Sequence, residues 1–153
     1  MELIKESKSY GDTLAVGRAL GRKLSGGEVV ELVGDLGSGK TALVRGLAEG
    51  INSRTRVQSP TFTLSRIYRG RNGLEIHHFD FHRLSEPGVV GQELAETLGY
   101  PKAVVAVEWS QIVRAVLPVD HLQIRIAVKD EQTRQFSLKA GGVKSRKLLE
   151  GWR

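Results

Sequence analysis

Hydrophobic positions along this chain change period several times, and each change marks an element. Leu14, Leu20 and Leu24, with small Ala15 and Ala19 between them, recur at helical spacing behind Asp12 or Thr13, either of which suits a helix N-cap. The stripe stops at Ser25-Gly26-Gly27, so a helix is predicted ahead of the first strand. Residues 28–33 form a short β-branched run, followed by the glycine-rich stretch 34–39 and then by Leu43, Val44, Leu47 and Ile51 at helical spacing. The order is strand, tight loop, helix. Residues 54–60 lack a period and read as loop, 61–68 have strand composition, and Gly70 with Asn72-Gly73 marks a reversal before a strand over 74–79. Those two strands should pair as a hairpin. Ser85-Glu86-Pro87 opens a helix that Val89, Val90, Leu94 and Leu98 carry to Gly99. Residues 103–107 are a continuous aliphatic run, as in a strand covered on both faces, and Glu108 ends it. Residues 122–128 and 134–138 alternate as a late hairpin, and 144–152 fits a short basic helix with Trp152 pinning the tail. Strands that alternate with helices early and pair as hairpins later predict a three-layer α/β fold, a single domain over residues 1–153, built on a mixed, mainly parallel sheet with antiparallel hairpin additions.

The glycine-rich stretch reads Gly34-Asp35-Leu36-Gly37-Ser38-Gly39-Lys40-Thr41. Glycines with unrestricted φ let backbone N–H groups turn inward around a phosphate chain, a lysine meets the outer phosphates, and a hydroxyl suits Mg²⁺. Set between a predicted strand and a predicted helix, this is a P-loop, and the fold expectation becomes that of a P-loop NTPase. ATP or ADP with Mg²⁺ is the expected ligand, on Gly37, Ser38, Gly39, Lys40, Thr41 and Ala42. Such a site needs a further acid near the metal at the end of a neighbouring apolar strand. Two residues qualify, Asp80 and Glu108, and the pattern leaves open which holds the metal and which orients water.

Ser59-Pro60-Thr61-Phe62 lies where a nucleotide-sensing loop belongs, so Thr61 is a candidate reporter of the γ-phosphate. His77, His78 and His82 cluster around Asp80 and invite a metal reading. Alternate residues on a strand face opposite ways, however, and this spacing gives no converging ligand set. Trp109 directly follows Glu108, where it can pack on a ligand, a switch loop or a partner, or belong to the core.

Composition narrows the class. Apolar residues are 40% and charged residues 26% of 153, which excludes a disordered tail protein or a fibrous repeat. The longest purely aliphatic stretch, 103–107, is far short of the ~20 residues that cross a bilayer, so no membrane partner is expected. The absence of cysteine agrees with a reducing compartment, and the expected location is the cytoplasm. The net charge of +6 is unevenly placed: residues 54–71 hold five arginines and no acid, and residues 129–153 hold seven basic against three acidic side chains. That surplus suggests an anionic partner such as nucleotide phosphate or RNA.

GDLGSGKT, SPTFTL, HFDFHRL and VVAVEWS, in this order and at these separations, closely resemble the TsaE (YjeE) family, bacterial P-loop proteins needed to make N6-threonylcarbamoyladenosine at position 37 of tRNA. The resemblance runs from about Thr13 to Arg134. It implies Lys40 on the outer phosphates, Thr41 and Glu108 on Mg²⁺, Asp80 in hydrolysis, Thr61 in a switch segment, Trp109 as a functional tryptophan and Arg134 as a nucleotide contact from the late hairpin. It also implies a weak ATPase that acts with TsaD and TsaB, meets tRNA through that complex, and does not itself transfer the threonylcarbamoyl group. The chain departs from the family pattern at His82, where tyrosine is usual, and at residues 88–91, where a more helical, acidic run is usual. A small-molecule kinase is the competing class, since it shares the P-loop; it would need an acceptor site and an arginine-bearing lid, and no insertion is long enough for a good lid, although 66–71 offers arginines.

Overall fold

The computed structural model describes residues 1–55, 65–82 and 84–152. Strand β1 (Glu2–Ser7) opens the chain and α1 (Tyr10–Gly21) follows it. A strand ahead of the first helix departs from the pattern reading, and its position explains why. β1 is a sheet edge that buries only Ser7 fully, and its neighbour β7 (Arg134–Ala140) comes from the far end of the chain, pairing Glu2 with Lys139 and Ser7 with Arg134. An edge of this kind carries little hydrophobic alternation. The helix also starts earlier than expected: Ser9 is the N-cap, its side chain accepting the Asp12 N–H at 3.0 Å, while Asp12 lies in the first turn and Thr13 is buried.

β2 (Val29–Val33) leads through the glycine-rich loop into α2 (Lys40–Gly50), as expected. β3 (Ser65–Arg69) and β4 (Glu75–Asp80) form the expected antiparallel hairpin, reversing where Asn72 and Gly73 take φ of 53° and 77°. Residues 61–64 of the predicted strand lie outside the described residues. α3 (Gly88–Thr97) follows Pro87, β5 (Ala103–Glu108) is buried at every position, and a 3-10 helix, Ser110–Val116, comes next. β6 (Leu122–Val128) and β7 make the late hairpin, tied at its turn by Asp130 Oδ1, which accepts from the N–H groups of Gln132 and Thr133. The basic helix is shorter than predicted, α4 (Val143–Lys147), and the chain then turns so that the consecutive Leu148 and Leu149 both enter the core. Trp152 packs partly buried against that core beneath the ammonium groups of Lys5 and Lys23.

The strand order is β1-β7-β6-β2-β5-β4-β3. The four central strands are mutually parallel, and β7 and β3 run against them, so the sheet is mixed and mainly parallel with hairpin strands outside. β5 shows the three layers directly: Val104 and Ala106 join the cluster formed with α1 and α2, whereas Val105 and Val107 join Leu94 of α3 and Val113 of the 3-10 helix. α1 and α2 touch backbone to backbone through Gly17 and Gly21 on one helix and Gly46 and Gly50 on the other. A Cβ on Gly17 would stand 2.7 Å from Gly46 Cα, and one on Gly50 would stand 2.6 Å from Gly21 Cα. The crossing fixes α2, and with it the loop at its start. Among the described residues no helix is long and apolar enough to cross a membrane.

Candidate functional site

The loop between β2 and α2 is shaped by its glycines. Gly37 and Gly39 take φ of 77° and 110°, in the left-handed region that side chains disfavour. At Gly34 a Cβ would stand 2.6 Å from Ser38 Oγ and 3.1 Å from the Ile126 carbonyl of β6, so only glycine lets the loop pass there. α2 starts from Gly39 with no side-chain cap, which leaves its first turn, with half-buried Thr41 and Ala42, available to an anion. Ser38 is buried, and its Oγ has no hydrogen-bond partner among the described residues. Uncapped N–H groups, a cradle that a Cβ would fill and an unpartnered hydroxyl suit a phosphate chain with its metal ion.

Lys40 folds back into this cradle. Its Nζ donates to the Gly34 carbonyl at 2.7 Å, stands 3.9 Å from Glu108 Oε1 and lies 4.0 Å from the ring centre of Trp109. Burial holds its pKa below the ordinary lysine range, against the opposing pull of Glu108, Asp80 and Asp35.

The two candidate acids end adjacent parallel strands and sit side by side, since Asp80 is the register partner of Glu108. Alternation places both on the α2 face, together with His78 and Ile76. Glu108 is buried, and its Oε2 lies 2.5 Å from His78 Nε2. Asp80 is half-buried, and its Oδ1 accepts the His82 N–H at 2.9 Å. Burial raises the Asp80 pKa, the His82 N–H lowers it, and the neighbouring Glu108 charge raises it further, leaving it above the ordinary carboxylate range.

Trp109 adopts φ 56° and ψ 54°, a conformation that costs a non-glycine residue about 1–3 kcal/mol, and its ring lies over Lys40 with the His82 ring 4.7 Å away. Arg134 arrives from β7 and donates from Nε to the Ser38 carbonyl at 3.1 Å, while its Nη1 donates to carbonyls of its own turn. It is therefore brought to the loop, which it braces through backbone. Thr61 lies outside the described residues. The three histidines do not converge: His77 meets Glu75 at 3.0 Å, His78 meets Glu108 and His82 meets Trp109, as the alternation on β4 implied. A cleft of about 490 Å³ opens beside Lys40 and Trp109, with Asp35, Arg114 and Arg125 on its walls.

The pattern reading did not find two features. His78 is coupled to Glu108, a partner 30 residues away that only the β4–β5 register brings near. Glu31, in the middle of β2, is also buried and engaged by Ser110 and Gln123. An acid inside an otherwise aliphatic strand was the available signal.

Comparison with known proteins places the chain in a family. The family model described as "Threonylcarbamoyl adenosine biosynthesis protein TsaE" matches residues 7–136. A Treponema pallidum protein named tRNA threonylcarbamoyladenosine biosynthesis protein TsaE is 36% identical over 132 residues, covering 86% of this chain and 96% of its own. A Bacillus subtilis protein of the same name is 31% identical over 144 residues, covering 91% and 86%. Among solved structures, Bacillus subtilis YdiB superposes with a TM-score of 0.79 at 28% identity, covering 98% of this chain and 93% of that one.

Proposed function

Since the chain belongs to the TsaE family of threonylcarbamoyl adenosine biosynthesis proteins, we propose that it is the ATP-binding, ATP-hydrolysing subunit of the machinery that makes N6-threonylcarbamoyladenosine in tRNA. The observation that carries the ATPase reading is the convergence of Lys40, Asp80 and Glu108 at the mouth of an uncapped P-loop helix. Gly37, Ser38 and Gly39 cradle the phosphates with backbone N–H groups, Ala42 adds to the same turn, and Lys40 exchanges the Gly34 carbonyl for the outer phosphates. Thr41 and Glu108 would hold Mg²⁺, which would neutralise charge on the phosphates. Asp80, with one oxygen on the His82 N–H, uses the other to orient the attacking water, and its raised pKa suits it to take up the proton released. Arg134 braces the loop against β7, Thr61 reports the γ-phosphate, and Trp109 shields Lys40 and couples the site to a partner.

Turnover by such a subunit drives a conformational cycle in TsaD and TsaB, its proposed partners, through different affinities of the ATP and ADP states. tRNA is met through that complex. The family match and the coverage of its relatives favour this reading over a small-molecule kinase. The test is Mg²⁺-dependent ATP hydrolysis by the purified protein, alone and with the TsaB–TsaD pair, with Lys40→Ala as blank. Slow turnover that rises on adding the pair and drops at least about 100-fold in the blank is expected. Indifference to the pair, with phosphate appearing on a small acceptor, overturns the proposal.

A further inference from the structure

Behind Glu108 lies a file of buried polar groups that the phosphate cradle does not use. Tyr68, fully buried on β3, places its hydroxyl 3.2 Å from His78 Nδ1, and His78, also fully buried, places Nε2 2.5 Å from Glu108 Oε2. The polarity of the file follows from its ends. A carboxylate can only accept, so Nε2 of His78 donates to Oε2, while Nδ1 lies beside the Tyr68 hydroxyl. The two oxygens of Glu108 thereby have different surroundings. Oε2 is held by His78, and Oε1 faces Lys40 Nζ across 3.9 Å, beyond hydrogen-bond reach.

A buried carboxylate paired this closely with a buried ammonium would ordinarily close to hydrogen-bond distance. Here it does not, and Lys40 donates instead to the Gly34 carbonyl. We propose that His78 is a positioning residue: by holding Oε2, backed by Tyr68, it keeps Glu108 from collapsing onto Lys40 and leaves Oε1 aimed into the site to ligate a divalent cation. The inference rests on the reading above in which Glu108 takes the metal. It assigns to β3 and β4 the task of setting metal affinity from behind, as second partners of ligating carboxylates do elsewhere.

Mn²⁺ binding to the protein saturated with ADP, followed by the electron paramagnetic resonance signal of free Mn²⁺, tests this without relying on turnover. His78→Leu is expected to weaken Mn²⁺ affinity by about 10–100-fold. His78→Gln, whose Nε2 can still donate to Glu108, should stay within about threefold of the parent, and Tyr68→Phe should fall between the two, on the same scale of effect. If His78 served packing alone, melting temperature would fall with the imidazole while Mn²⁺ affinity stayed level. Unchanged affinity in His78→Leu, or equal weakness in His78→Gln and His78→Leu, overturns the inference even if the leucine variant is unstable, because the glutamine and phenylalanine variants are read alongside it. Failure of the underlying metal reading looks different: Glu108→Gln would then bind Mn²⁺ as well as the parent, and the inference would fall with it.

Discussion

Glu31 and Glu108 are almost equally buried, at 1% and 3% exposure, on neighbouring strands, yet they face opposite sides of the sheet and have opposite kinds of company. Glu31 receives a hydrogen bond from Ser110 Oγ and one from Gln123 Nε2 at 2.8 Å, with His121 at 3.4 Å and Arg114 at 3.7 Å. Burial by itself would raise its pKa, but those two hydrogen bonds, then the His121 and Arg114 charges, outweigh it and hold the carboxyl below its usual range. Glu108 has one oxygen held and one left facing a lysine. Burial therefore does not distinguish the two acids; the filling of their acceptor sites does. A saturated carboxylate ties elements together, here the 3-10 helix to β2 and β6. An unsaturated one is available to a ligand.

Exchanging each acid for its amide gives the largest expected contrast. Glu108→Gln should lower Mg²⁺-dependent hydrolysis by about 100-fold or more, as loss of a metal ligand does, and leave the melting temperature near that of the parent. Glu31→Gln should do the reverse. An amide cannot accept at both ends from Ser110 and Gln123, so about 1–3 kcal/mol of stability is lost, a drop of roughly 2–4 °C per kcal/mol, with hydrolysis per folded molecule retained. Thermal melts and a hydrolysis assay on the same preparations decide it, and a Glu31→Gln protein that melts normally but fails to turn over would break the comparison.

A smaller contrast lies in acid. Because the folded-state pKa of Glu31 is below the ordinary carboxylate value of 4.5, its contribution is present in full above that value and is lost as pH falls through the lowered one. The gap in stability between the parent and Glu31→Gln should thus be constant from pH 7 to about 5.5 and narrow toward pH 3. Denaturant midpoints along that range measure it, and a gap that widens on acidification contradicts the assignment.

What could be read from the chain follows the same division. The glycine-rich loop between β2 and α2 was legible because its eight residues are contiguous and of the types a phosphate-binding turn needs. Asp80 and Glu108 were legible as strand-ending acids, β2 as a β-branched run and β5 as an aliphatic one. β1 was not, since its half-buried Leu3 and exposed Ile4 give an edge strand little signal and its partner is at the other terminus. The glycines at 17, 21, 46 and 50 are unfavourable in a helix by propensity, and only the crossing of α1 and α2 gives them a reason. His78 looked like one of three clustered histidines, because a register between β4 and β5, and not sequence distance, chooses its partner. Long-range pairing of this sort is set by strand order, which local periodicity does not encode.

The finest test of the comparison is where its two regions meet. Ser110 donates to Glu31 on one face of the sheet, and the residue before it, Trp109, covers Lys40 in a left-handed conformation at the site. The saturated acid thus anchors the first residue of the 3-10 helix, and that anchor opposes the backbone strain at Trp109. Ser110→Ala removes one hydrogen bond and should cost about 1 kcal/mol. It should also let Trp109 relax toward an unstrained backbone and move off the ammonium of Lys40. In a Trp152→Phe background, where Trp109 is the sole tryptophan, its emission maximum and quenching should change in Ser110→Ala at temperatures where the protein is still folded. An unchanged spectrum with the expected loss of stability would mean that the strain at Trp109 is held by its contacts with Lys40 and His82, and that the two acids act independently across the sheet.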